Sequence, residues 1–320
     1  MHLYGERNEM NEPKKLDEIE KNILEQVSDL HDIPAGAYNL RENGRLAGRR
    51  SSANIEIVTK TDNPGIDIIV KPGTKNESVH IPVILTESGL TDLVYNDFFI
   101  GEGADVLIIA GCGIHNDGSD KTQHDGIHTF HVAEGAKVRY VEKHYGAGNG
   151  RGGKVLNPQT IVTLEKNAVI EMETVQLKGV DSTKRYTKVI AGAGASVVIT
   201  EKLLTHGAQS ASSEMDVILD GEGSSARIIS RSVAQDNSEQ KFYPRISGNA
   251  ACFGHVQCDA IIMGDARVRA IPEIAANNID AQLIHEAAIG RIAGDQIIKL
   301  LTLGLDEKQA EERILAGFLK

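Results

Sequence analysis

The sequence predicts a mainly β protein, a right-handed parallel β-helix (solenoid) core flanked by N-terminal and C-terminal helical segments. Short β-branched segments (IEIV, DIIV, IPVIL, DVLII, KVRYV, TIVTL, SVVIT, ARIIS) follow one another from about Ser52 to Ile271, separated by Gly, Asn or Asp. A turn phrase recurs among them as EGADV, EGAKV, KNAVI, GASVV and GSSAR. Its first turn residues, Gly103, Gly135, Asn167, Gly194 and Gly223, stand 32, 32, 27 and 29 residues apart. Strand–turn units with one repeated punctuation point describe rungs stacked on each other. Helical spacing is confined to the two ends. A double-sheet sandwich or jelly roll also yields many short strands, and the repeat is what favours the solenoid.

Residues 1–50 read as a helix and a linker. Leu16, Ile19, Ile23, Val27 and Leu30 form one apolar stripe, with Pro13 before it and Pro34 closing it. Residues 35–50 read as a linker whose Arg41, Arg45, Arg49 and Arg50 either bind an anion or form a solvated basic face. Residues 51–271 are the β-helix core, in which Ala104, Ala136, Ala168 and Ala195 are expected inside the stack. Residues 272–320 return to helical spacing. Ala281–Ile292 is alanine-rich and apolar, Ile297–Leu303 is a second segment ending at Gly304, and Asp306 with Gln309 caps a last helix. These segments are too short and apolar to stand alone, so they must pack on the β domain or on a partner.

Composition narrows the function. Of 320 residues, 41% are hydrophobic and 4% aromatic, with 32 glycines and no tryptophan, which suits a core of small and β-branched side chains. A net charge of −11 argues against nucleic acid or an anionic membrane as the main partner. No apolar run approaches the roughly 20 residues that span a bilayer. The opening MHLYGERNEMNEPKK has no hydrophobic core of a secretion signal. Three cysteines, Cys112, Cys252 and Cys258, do not make a disulfide framework, and a cytoplasmic location is expected.

The stretch from Gly111 to Tyr145 gathers Cys112, His115, His124, His128, His131 and His144, five of the eleven histidines. Thiolate and neutral imidazole are ligands for borderline-soft metals. Cys112 and His115 can ligate from one tight turn, and His124 and His128 can converge if their segment forms a helical turn, whereas on a strand they share a face but stand too far apart for one ion. Only a subset is therefore expected to ligate, with Cys112, His115, His124 and His128 the candidates. Asp125 and Glu142 are available as bases, though no spacing selects them. GNGRGGK at 148–154 imitates a phosphate loop, but Val155 replaces the magnesium-binding hydroxyl and a strand follows, so a flexible turn is expected. Cys258 lies in a hydrophobic strand pattern, where an inert buried thiol is the plain reading.

The C-terminal run GHVQCDAIIMGDARVRAIPEIAANNIDAQLIHEAAIGRIAGDQ…GLDEKQAEERILAGF resembles SufB/SufD-type iron–sulfur assembly proteins, with a compact archaeal or anaerobe-type outline. The likeness is clear over about 155–320 and weaker upstream. It implies a non-enzymatic scaffold that builds iron–sulfur clusters transiently and passes them to apoprotein acceptors. It also implies a dimer with itself or a paralogue through the β-helix, and an ABC-type ATPase on the C-terminal helices. Cys258 matches the family cysteine of the QCD phrase, and His285 and Glu286 match its His-Glu pair. Ala266 stands where scaffold members carry another cysteine, so ligation would fall to Cys258, His285 and Glu286, with Cys112 as a further candidate. Two rivals remain: a stand-alone metalloenzyme on the Cys112–His128 segment, and a SufD-like structural subunit that ligates nothing.

Overall fold

The structure, a computed structural model, describes residues 16–30, 34, 36–292 and 294–320. Its core is a parallel β-helix of two facing sheets, one of ten strands and one of eleven. Consecutive strands alternate between the sheets, so each pairs with the strand one rung away. Lys75–Leu85 pairs with Asp105–His115, which pairs with Lys137–Ala147; on the other sheet Thr91–Ile100 pairs with Thr122–Val132.

The register places like beside like. On one sheet Ile108, Tyr140, Met172, Ile199, Ile228 and Val256 lie side by side, and all are buried. On the other, Phe98 and Phe130 stack with ring centroids 4.2 Å apart. Because side chains alternate across each strand, every second residue faces this shared interior. The bulk of the apolar core is therefore one continuous column.

The recurring turn residues all adopt left-handed backbone: Gly103 (φ 61°), Gly135 (65°), Asn167 (56°), Gly194 (65°) and Gly223 (71°). Each donates its N–H to a carbonyl of the next turn, Gly103 to Glu134 and Gly135 to Lys166. Ala104, Ala136, Ala168 and Ala195 beside them are fully buried, as expected. The unequal steps also have a cause. The two 32-residue rungs each carry a wide corner, at 116–121 and 148–153, and these corners stack through Gly150 N–H to Asn116 O and Gly152 N–H to Gly118 O. A side chain at Gly150 or Gly152 would run into the backbone of the corner beneath. The GNGRGG glycines thus serve close stacking between rungs.

Helix α1 (Glu18–Ser28) starts in a capping box between Asp17 and Glu20. It buries Ile23, Leu24 and Val27, whereas Ile19 is exposed. Asp29, in left-handed conformation, ends it ahead of Pro34; Pro13 lies outside the described residues. The segment read as a linker is a hairpin, Ala37–Glu42 with Arg45–Arg50, held by pairing to Lys75–Leu85 and by Arg50 over the Tyr38 ring at 5.3 Å. A second antiparallel pair, Ile55–Thr59 with Gly65–Val70, ends the other sheet.

The alanine-rich stretch read as helix is instead the strand Gln282–Gly290, the last of the ten-stranded sheet. Its whole length pairs in parallel with Phe253–Ile262, and that template outweighs alanine's helical preference. Strands therefore lie on both sides of the boundaries read at 50 and 271. Helices α2 (Gly294–Thr302) and α3 (Glu307–Phe318) follow, the latter capped reciprocally by Asp306 and Gln309 as the sequence suggests.

The turns give a direct test. A Cβ at Gly135 meets nothing within 4 Å, so only the positive φ penalises a substitution there. Gly135→Ala is expected to cost roughly 1 kcal/mol in urea unfolding, and Asn167→Gly nothing or a slight gain. Equal stability of Gly135→Ala and wild type would contradict the turn geometry.

Candidate functional site

Cys112 faces the interior from the strand Asp105–His115, while Gly111 and Gly113 face outward beneath α1. A Cβ on Gly111 would strike the Val27 carbonyl, and one on Gly113 the Ile23 side chain. The glycines of GCG therefore bring the helix down onto the sheet and do not cradle a ligand.

Around Cys112 the interior turns polar, and each group is matched to one on the neighbouring rung. His124 lies beside Asp92 and His128 beside Asn96. His124 Nδ1 is 3.0 Å from Asp92 Oδ2, and Arg41 donates to both oxygens of the same carboxylate. His128 Nδ1 is 2.7 Å from the Tyr140 hydroxyl, and Asn96 Nδ2 is 3.3 Å from its Nε2. Gly126 sits between the two histidines on their strand; a Cβ there would be 3.2 Å from His124 Nε2 and 3.4 Å from His128 Nε2. The missing side chain leaves an internal cavity of about 20 Å³, walled also by Cys112, Glu142 and His144. That is room for about one water molecule.

From there a polar line continues down the solenoid. Cys112 lies beside His144, whose Nε2 is 3.6 Å from Glu142 Oε1. Arg185 donates to Glu142, approaches His144 Nδ1 at 3.4 Å and lies 3.9 Å from Glu201. Ser230 donates to Glu201 at 3.1 Å and neighbours Cys258, whose sulfur is 3.6 Å from His285 Nε2. Thr174 Oγ1 and Ser213 Oγ, buried without a partner, line a smaller cavity beside Arg185 and Glu201.

Burial sets the protonation states. Against the upward push of burial, Arg185 and His144 hold the Glu142 carboxyl well below its usual range, and His124 and Arg41 do the same for Asp92. Burial, reinforced by Asp92 and Glu142, pushes the Cys112 thiol far up. Burial, with Asp259 and Glu201, raises Cys258 to about 12. Burial depresses His128 to about 4 and also lowers His144 and His285. Both thiols are thus protonated at neutral pH, and a ligand role requires the incoming metal to displace the proton.

These positions revise the expected sites. Among the described residues, no group of three or more His, Cys, Asp or Glu side chains is arranged to hold one metal ion. Cys112, His124 and His128 do share the cavity, but His115 does not join them: it stands at the strand end, 2.8 Å from Asp117. A self-contained Cys112–His128 metal centre is therefore not assembled, because the two strand histidines are tied to Asp92, Tyr140 and Asn96. Cys258 and His285 meet on the inner face of the last rungs. Glu286, the next residue along the strand, points the other way and pairs with His255 at 3.0 Å. His255, Arg185 and Glu201 are not singled out by motif; their signal is that bonded groups such as Asp92 and His124, Glu201 and Ser230, or Cys258 and His285 stand one repeat apart.

The fold and interior define the class as a two-sheet β-solenoid with thiols and imidazoles in a polar interior and helical segments before and after the stack. Residues 93–318 match the model described as SUF system FeS cluster assembly, SufBD core domain, and the chain belongs to the SufBD family of iron–sulfur cluster assembly proteins. An iron–sulfur cluster assembly SufBD family protein of Methanocaldococcus jannaschii is 28% identical over 256 residues, which span 79% of each chain. One from Methanothermobacter thermautotrophicus is 26% identical over 80% of this chain and 62% of its own length. One from Archaeoglobus fulgidus is 28% identical over 78% of this chain and 66% of its own. The chain therefore aligns with less than two thirds of the latter two. Among the described residues no helix is long and apolar enough to cross a membrane.

The interior makes stability pH-dependent. His128 stays neutral in the folded chain down to about pH 4 but takes a proton near 6.5 when unfolded. Between those values the unfolded state binds the extra proton, so stability is lost as pH falls through the window, about 2 kcal/mol from pH 7 to 5. His128→Gln should flatten the fall in the urea midpoint over that range. A wild-type midpoint unchanged from pH 7 to 5 would refute the buried neutral imidazole.

Proposed function

We propose that this chain is a scaffold subunit that assembles iron–sulfur clusters transiently, working in the cytoplasm with a separate ABC-type ATPase and handing clusters to apoprotein acceptors. The observation that carries this reading is the Cys258–His285 pair on the inner face of the last, open rungs. A thiol and an imidazole 3.6 Å apart supply two soft-to-borderline ligands, and iron binding would release the proton that burial holds on Cys258. Such a mixed set holds a cluster less tightly than four thiolates, which suits a cargo that must leave.

The pair is only part of a ligand set. Ala266 supplies no thiol, and Glu286 faces outward with His255. Strand Gln282–Gly290 has one unpaired edge, with Ile284 and Ile289 exposed near it, so a dimer through this end would bring a second set of ligands close. Cys112 belongs to the same interior, joined to Cys258 by the line of polar groups through Arg185 and Glu201. The ATPase reading rests on α2, which buries none of its residues and exposes Ile298 and Leu301. In this reading ATP is hydrolysed by the partner, and the chain itself is not an enzyme.

The same missing thiol favours a second reading, a structural SufD-like subunit that ligates nothing. Anaerobic reconstitution with iron and sulfide, followed by UV–visible and Mössbauer spectra, separates the two. Wild type should form a cluster, Cys258→Ser and His285→Ala should each lose most of it, and Glu286→Ala should retain more because its side chain faces away from the pair. Identical spectra for wild type and Cys258→Ser/His285→Ala would remove the ligand assignment. ATPase copurification with no cluster in either protein would favour the structural subunit.

A further inference from the structure

The parallel stack ends, on its N-terminal side, in the two antiparallel pairs 37–50 and 55–70, and a cavity of about 440 Å³ lies between them. Its size falls among small-molecule sites, roughly 300–1,000 Å³. The floor is apolar and buried: Ile66, Ile81, Val83 and Val94. Two arginines reach it, and their states differ. Arg41 is neutralised by both oxygens of Asp92. Arg49 has no carboxylate partner among the described residues. Its Nε donates to Asn39 Oδ1 at 2.8 Å and its Nη1 to Thr59 Oγ1 at 2.7 Å, both neutral acceptors, and its Nη2 is unclaimed.

A half-buried guanidinium without a counter-charge is costly in a folded protein. Burial alone pulls the Arg49 pKa below its usual value, the reverse of what a paired arginine shows. In a chain of net charge −11, a cation with no acid beside it among the described residues, above an apolar floor, is matched to an anion from outside. We propose that this open end of the solenoid binds a small organic anion, its carboxylate or phosphate head on Arg49 and its apolar body over Ile66, Ile81, Val83 and Val94. An inorganic ion would satisfy the guanidinium but leave the floor uncovered. The site is distinct from the Cys258–His285 pair at the opposite end. Its floor residues Ile81 and Val83, with Asn96, also wall the cavity that holds Cys112 and His128.

Calorimetric titration of the full chain with octanoate, octyl phosphate, octylamine and inorganic phosphate tests this. One anion should bind saturably at one site, the two octyl arms telling carboxylate from phosphate ester. Octylamine should not bind, and inorganic phosphate should bind at least tenfold more weakly. Arg49→Gln keeps hydrogen-bonding capacity and removes the charge; Leu46→Glu, at an exposed rim position, adds an opposing charge. Each should weaken the anion at least tenfold while circular dichroism stays as in wild type and the urea midpoint does not fall. Absence of saturable binding by either octyl anion would overturn the proposal. So would wild-type affinity in both variants, or octylamine or inorganic phosphate binding as tightly as the octyl anions.

Discussion

Parallel in-register pairing from rung to rung is the constraint on which everything else in this molecule depends. Each inward side chain lies beside the inward side chain at the same place in the next rung, so a departure from apolar packing meets its answer there or across the interior. The neighbouring rung supplies Asp92 for His124, Asn96 for His128 and Glu201 for Ser230, the far side of the interior supplies Glu142 for Arg185, and Thr174 and Ser213 stay unpaired. A polar group placed in one rung thus tends to recruit a partner from the next rung or from the far side, and the partner recruits another. The solenoid converts local satisfaction into a line of groups extending from Arg41 towards His285.

The same constraint explains why much of the fold was legible in the sequence. The repeated turn residues have a chemical cause, since left-handed backbone favours Gly or Asn, and the alanines beside them have no room for more. The Asp306–Gln309 cap was legible because capping is local. The two misread segments fail for different reasons. Ala37–Arg50 does carry a local mark that the linker reading passed over, Asn43-Gly44 in left-handed backbone as a two-residue hairpin turn requires, whereas nothing local marks Gln282–Gly290 as a strand, which is shaped by the neighbouring rung.

The candidate site divides along the same line. Cys258 and His285 carried recognisable phrases, and they do meet. Glu286 carried the same phrase but faces the other side, because adjacent residues on a strand alternate. His115, so close to Cys112 in sequence, is spent at a corner with Asp117. Arg185 and Glu201 had no motif at all. Glu201 meets Ser230 one rung on, while Arg185 reaches Glu142 and Glu201 across the interior, so neither is visible within a short window of sequence.

Cys112 and Cys258 share a property that bears on assembly chemistry. Each is buried among carboxylates, and so each is held as a neutral thiol. Burial is the larger cause and penalises charge of either sign, while the nearby acids oppose a thiolate and favour a cation. Such a thiol resists casual oxidation, since the thiolate is the reactive form, and a metal ion binding it would have to displace a firmly held proton. Between the two thiols acids and cations alternate along the interior, Glu142 against Arg185 and Arg185 against Glu201, and the same two acids add to the rise of the thiols, Glu142 for Cys112 and Glu201 for Cys258.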